Sequence, residues 1–283
     1  MKSIILAIAG LFAFSFNLQA QGNKSGAIQF VTSIDPAAIA QANGRILTPE
    51  MQARMQSIKT PHELLFNATH ASYMKVEEVE DSNNEGGNAR TFRMGGFGGG
   101  SNREYYYSFA DQKLTAVFDL RDTTYFLDTK LGKTDLPMAM GNRAEVSAPV
   151  VEYIKSDETR KIIGLNCQKV TVKTTIKRKV QEELKEIVTE TVVWYTKDLG
   201  FDFSPNPAIW NEGAVLAIES KGNNTVANSI EYRKVNARDV TLPKKGTVIT
   251  QEALQSKMES MMRNRRGTQG NQSGNTIRNI VIN

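Results

Sequence analysis

Among its 283 residues the chain has one cysteine, Cys167, and two histidines, His62 and His70. A lone cysteine forms no internal disulfide, so the core must hold the fold without covalent help. The histidines are separated from any second ligand, with no Cys or paired-His motif beside them, which removes the usual zinc and histidine-relay patterns. Gly-x-Ser-x-Gly, His-Glu-x-x-His and Cys–His arrangements are all absent. Asp119, Asp122 and Asp128 do not have calcium-loop spacing. No catalytic, cofactor-binding or metal residue is therefore assigned, and an enzyme reading has no named side chain behind it.

Long apolar runs are scarce too. Ile4–Phe16 is the longest, preceded by Lys2 and followed by the short polar end Asn17–Ala20. It falls short of the ~20 residues that span a bilayer and has the layout of an export signal over residues 1–20. A mature start at Gln21 is expected, with no cysteine nearby for lipid attachment, no transmembrane segment after signal removal, and a periplasmic or secreted location. The surplus of 35 basic over 30 acidic residues has a simple origin. Setting aside Lys2 and the tail residues Arg263, Arg265, Arg266 and Arg278 leaves 30 against 30, a neutral body. That balance gives no support for a nucleic-acid partner.

What is present is strand chemistry. Over Val170–Val180 the even positions are mostly apolar and the odd ones Thr or Lys, a period of two. A second β-branched run, Leu184–Tyr195, follows the polar break Gln181–Glu183. A register summing to 364 sets Val180 against Leu184, Arg178 against Glu186, Ile176 against Val188, Val172 against Val192 and Val170 against Trp194, satisfying packing and charge together. A short helix over Lys179–Glu190 is the alternative, and its Ile, Val and Thr content argues against it.

Upstream, Ala27–Ile34 reads as a strand ended by Pro36, and Pro36–Ala42 and Thr48–Ser57 as helical turns, the second capped by Thr48 with Pro49 at its first position. Leu64–Val79 reads as one strand. The Ser72-x-x-Lys75 pattern within it resembles acyl-enzyme hydrolases, but strand positions three apart point to opposite faces. Residues 83–102 hold a Gly-rich loop, with Phe92, Met94 and Phe97 as a sticky lid in the alternative reading. Arg103–Lys130 is a three-strand meander in which two of Tyr105, Tyr106 and Tyr107 pack inward. Gly132–Val150 is a loop whose Met138 and Met140 are packing residues rather than a copper site. Trp210 anchors a Pro205/Pro207 loop. Ala214–Glu219, Ser229–Val235 and Val240–Pro243 complete the sheet around an Asn223–Asn224 turn. A helix at 250–263, capped by Thr250, carries Leu254, Met258, Met261 and Met262, and 264–283 is a flexible basic tail whose Ile280–Ile282 offers an edge strand.

The segments "DETRKIIGLNCQKVTV", "VVWYTKDL" and "NPAIWNEGAVLAIES" resemble, in order and spacing, the GLPGLI family of exported proteins of Gram-negative bacteria. Glu212–Glu219 stands where the naming motif would be, keeping Gly213 and the apolar run but not Gly-Leu-Pro-Gly. The resemblance implies export and a β-rich fold, and supplies no catalytic residue.

Together these readings predict a mainly β fold. It is a curved antiparallel sheet or half-barrel spanning 21–249 as a single domain, with one or two short helices and a C-terminal helix. Two functions compete: a non-catalytic module binding an outer-membrane or envelope protein, and a periplasmic half-barrel carrier of a lipid or other amphiphile. The ligand or partner face is expected to comprise Val170, Val172, Val192, Trp194 and Trp210. A hydrolase built by the fold alone comes third.

Overall fold

The computed structural model describes residues 25–42, 46–76, 103–120, 122–132, 149–180 and 183–272, with side chains at 178–185, 262 and 264–272 left out. The expected signal, Gly-rich loop, Met138/Met140 loop and last residues of the tail lie outside these ranges.

The architecture is one open 12-stranded sheet in the order β12-β6-β5-β4-β3-β2-β1-β11-β10-β9-β8-β7. Every pairing is antiparallel except β12 with β6. This bears out a mainly β fold with short helices and a C-terminal helix, as a sheet that does not close into a barrel.

β1 (Gly26–Ile34) lies between β2 (Ile58–Phe66) and β11 (Asn223–Tyr232). Asp35 ends it by accepting the Ala37 and Ala38 N–H groups on Oδ1, both at 3.0 Å, which starts α1 (Pro36–Ala42). Thr48 caps α2 (Pro49–Arg54) as its sequence predicts, accepting from Met51 N at 3.3 Å.

The strand expected over Leu64–Val79 is instead a hairpin of β2 and β3 (His70–Lys75). Asn67 Oδ1 accepts the N–H groups of Thr69 and His70 at 2.9 Å each, and this side-chain turn outweighs the alternation running through it. The meander is β4 (Glu104–Ser108), β5 (Lys113–Leu120) and β6 (Thr123–Thr129). Tyr105 and Tyr107 are buried, while Tyr106 turns away and donates to Glu104.

β7 (Val150–Ile162), β8 (Leu165–Val180) and β9 (Glu183–Thr196) form the far end of the sheet. The central hairpin exists, but in a register one residue from the expected one: Val170 faces Val193, Lys169 faces Trp194 and Thr171 faces Val192. The reason lies in β9, where Val193, Trp194 and Tyr195 are all buried because both faces are covered. A strand apolar on both faces cannot choose its register by alternation. Charge matches at Lys173 opposite Glu190 and Lys177 opposite Glu186, whereas Arg178 stands opposite Lys185.

β10 (Ala214–Ser220) and β11 follow, their turn centred on Gly222 with φ +77° rather than on Asn223–Asn224. Val240 does not close the sheet as a strand. It ends a 3-10 turn, Ala237–Val240, and is 1% exposed. Closure falls to β12 (Thr247–Val248), after which Ile249 N donates to Phe126 O at 2.9 Å. Thr250 Oγ1 then accepts from Ala253 N, starting α3 (Gln251–Gln272), which continues beyond Arg263, its expected end. Leu254 and Met258 point into the core.

The sheet has two cores, one per face. The larger holds Ile28, Phe30, Leu64, Phe66, Tyr73, Tyr107 and Phe203, and the smaller Val170, Val172, Val193, Tyr195, Trp210, Val215 and Ile218.

Candidate functional site

The loop between β9 and β10 serves both cores. Phe203 bonds into the start of β10 through Phe203 N–Gly213 O (3.0 Å) and Val215 N–Phe203 O (2.8 Å). Its ring meets those of Phe30, Tyr73 and Tyr107 at 5.7, 5.4 and 5.4 Å. Gly213 adopts φ +61°, and a Cβ there would lie 2.5 Å from Thr196 O, so this turn requires glycine. The loop then presents Trp210 to the smaller core, where Nε1 donates to Glu212 O at 2.6 Å.

The sequence-predicted face is therefore divided. Val170, Val172 and Trp210 share the smaller core, whereas Val192 and Trp194 belong to the other face. Around Trp210, Tyr195 and Tyr153 pack at 5.1 and 5.5 Å, and Lys155 Nζ lies 5.5 Å from the ring while pairing with Glu212.

Above this cluster the three strands β7, β8 and β9 continue with contrasting faces. On the Trp210 side the cross-strand rows are Tyr153–Val172–Thr191 and Val151–Thr174–Thr189, followed by Ile176–Ile187. None of these residues is charged, and the uncharged stretch is bounded by Lys155 in the row Lys155–Val170–Val193 at one end and by the pair Arg178–Lys185 at the other. On the opposite side the rows are Ile154–Thr171–Val192, Glu152–Lys173–Glu190 and Val150–Thr175–Val188, followed by Lys177–Glu186. Val151 and Tyr153 are 38% and 43% exposed although they stand on the uncharged side. Sequence reasoning missed this surface because it appears only once β7 is laid beside the hairpin in the observed register.

The other face carries a second constellation. Arg160 Cζ lies 4.3 Å from the Trp194 ring centroid and its Nη2 donates to Glu219 Oε1 at 2.9 Å. Trp194 Nε1 donates to Glu219 Oε2 at 3.2 Å, so one carboxylate holds both partners. Lys169 stands beside Trp194 and pairs with Glu158 at 2.6 Å.

The remaining candidate side chains have structural roles. Ser72 is fully buried and donates to Asp239 O at 2.7 Å. Lys75, three positions along the same strand, lies on the opposite face. Cys167 is fully buried, and desolvation raises its thiol to about 11. His62 stacks on Tyr73 at 5.3 Å, and burial lowers its pKa. Among the described residues no group of His, Cys, Asp and Glu is arranged to hold a metal ion, and no helix is long and apolar enough to cross a membrane.

No family model matches the chain, and no curated protein matches it. Solved structures described as "Structure of PNGF-II in C2 space group" and "Structure of PNGF-II in P21 space group" align at 14% and 16% identity, each with a TM-score of 0.45. The alignments cover 80% and 83% of this chain but 31% and 33% of those, so the chain spans about a third of their length. Likeness at this level carries no argument about activity.

Proposed function

We propose that this protein is an exported, non-catalytic interaction module of the cell envelope that docks a partner protein on the uncharged face of β7, β8 and β9. The observation that carries this reading is the contrast between the two faces of those strands. Val151, Tyr153, Thr174, Ile176, Ile187, Thr189 and Thr191 present no charge, while Glu152, Lys173, Lys177, Glu186 and Glu190 crowd the reverse. A sheet face without charge accepts a second packed surface without the desolvation cost of burying ions. The partner is an outer-membrane or other envelope protein with a matching β-branched or aromatic face. Residues 1–20 support export, and Gly213, held at a positive φ against Thr196, supplies a structural reason for the glycine that the GLPGLI resemblance retains.

The amphiphile-carrier reading needs an open apolar interior. In the larger core Phe30, Tyr73, Tyr107 and Phe203 meet ring against ring, which ranks that reading second. Native mass spectrometry of the protein recovered from a bacterial envelope fraction without detergent separates the two. A clean polypeptide mass is expected, and a reproducible added mass of lipid size would overturn the docking assignment in favour of the carrier.

A further inference from the structure

β7 is the last strand of the sheet, so one side of its backbone has no strand partner among the described residues. Along that edge protection is uneven. From Lys155 to Lys161 the strand carries Lys155, Asp157, Glu158, Arg160 and Lys161 and a register shift between Ser156 and Thr159, the usual devices against further pairing. From Val150 to Ile154 the only charge is Glu152, and Val150, Val151, Tyr153 and Ile154 are 68%, 38%, 43% and 47% exposed. Alternate residues of that stretch turn their N–H and C=O groups outward. The unguarded edge thus runs from the start of β7 to the point where the charges and the register shift begin.

The side-chain rows that reach this edge state what a further strand must carry. Glu190, Lys173 and Glu152 form one row on the charged face, a single cation between two carboxylates, and the row ends at Glu152. Glu152 is exposed and has no ion pair among the described residues. A cation opposite it completes the alternation. On either side, the rows of the same face end in Val150 and Ile154, which favour β-branched or other apolar neighbours. Between these positions the uncharged rows end in Val151 and Tyr153, whose neighbours must be uncharged. The matching segment is therefore apolar, uncharged, basic, uncharged, apolar, a pattern that reads the same in both directions. A slip of one residue would carry the basic side chain to the uncharged face, beside Val151 or Tyr153, and lose the ion pair.

We infer that the Val150–Ile154 edge of β7 binds an extended segment of a partner protein as a further strand, the segment having that pattern with Lys or Arg at its centre. Main-chain hydrogen bonds supply the affinity, and the row ending at Glu152 selects the sequence and the register. The sheet's own edges do not supply such a segment. Two copies of Val150–Ile154 laid centre to centre would set Glu152 against Glu152, and β12, at the other edge, is only Thr247–Val248. The contact uses the backbone edge of β7 and not the uncharged side-chain face assigned above, so the two assignments stand or fall separately.

The test titrates the full-length protein with synthetic peptides blocked at both ends, read by fluorescence anisotropy and by hydrogen exchange at Val150–Ile154. The first peptide is Thr-Val-Thr-Arg-Thr-Val-Thr, and the second has Glu in place of Arg. Two more are the Arg peptide methylated at alternate backbone nitrogens, one in each phase, so that the methyl groups line one edge of the peptide or the other. The Arg peptide is expected to bind and to slow exchange at Val150–Ile154, and the Glu peptide to bind several-fold more weakly. Glu152→Arg, at an exposed position, should reverse that preference. One methylated form should lose binding and the other keep it, because only one edge of the peptide faces β7. An Arg peptide that leaves exchange at Val150–Ile154 unchanged, or equal binding of the two methylated forms, would overturn the edge assignment. A preference for Arg that survives Glu152→Arg would overturn the register. Protection of Val150–Ile154 that rises with the concentration of the protein alone would give the edge to a second copy instead and overturn the partner assignment.

Discussion

The guanidinium of Arg160 lies 4.3 Å over the indole of Trp194, and both groups donate to the carboxylate of Glu219. The contact ties β7 to β9 and β10 across the intervening β8, so it braces the strands beneath the proposed docking face. Side-chain exposures of 38% and 36% for Arg160 and Glu219 limit the ion pair to a fraction of its dry value. The stacking adds about 0.5–2 kcal/mol. Arg160→Ala should therefore destabilise by about 1–2 kcal/mol in urea unfolding, and Arg160→Lys should recover less than half of that loss.

His62 sets a pH dependence. Burial lowers its pKa from the ordinary 6.5, with Lys75 acting in the same direction and the Thr60 carbonyl opposing. The unfolded chain thus binds the proton more readily than the folded one. Its contribution to stability is complete above about pH 6.5 and declines as pH falls below that value toward the lowered folded pKa. Urea midpoints measured between pH 7.5 and about 5 should fall on acidification, and His62→Phe should flatten that part of the curve.

Two glycines separate strain from collision. Gly164 has φ +85° with nothing within 4 Å of the place a Cβ would occupy, so Gly164→Ala should cost only the left-handed penalty of about 1–2 kcal/mol. Gly213→Ala should cost more, because its Cβ would also meet Thr196 O at 2.5 Å. Thermal unfolding of the two variants side by side gives the difference directly.

Cys167 should be inert in the folded protein. It is fully buried and its thiol is pushed up to about 11, so little thiolate exists near neutral pH. Ellman's reagent at pH 8 should label it only at the rate of unfolding, and at once in denaturant.

Phe203 joins a loop to the larger core, touching Phe30, Tyr73 and Tyr107. Phe203→Ala should cost about 3–5 kcal/mol by the cavity it opens, measured by urea unfolding.

Much of the fold was legible because its signals are local. Thr48 and Thr250 cap helices where their side chains predict, and the three strands from Arg103 onward alternate cleanly enough to give their edges. The errors arose where a local side-chain bond or two-sided burial overrode alternation. Asn67 folds its own turn inside an apparently continuous strand. At Val192–Tyr195 both parities are covered, so the sequence offered no preference between neighbouring registers. That single-residue difference moved Val192 and Trp194 away from Val170, Val172 and Trp210 and split the expected face. The uncharged surface that replaced it depends on β7 lying beside β8, a non-local pairing that periodicity does not encode.

The docking assignment is tested most directly by comparing the two faces of the same strands in living cells. A photocrosslinking residue is placed singly at Thr174 or Thr189 on the uncharged face, and at Lys173 or Glu190 on the charged one, in the exported full-length protein. The account predicts a discrete crosslinked envelope protein from Thr174 and Thr189, absent from Lys173 and Glu190, with the Thr174 product lost when Thr189→Glu adds a charge. Equal crosslinking from both faces, or a Thr174 product indifferent to that charge, would contradict it.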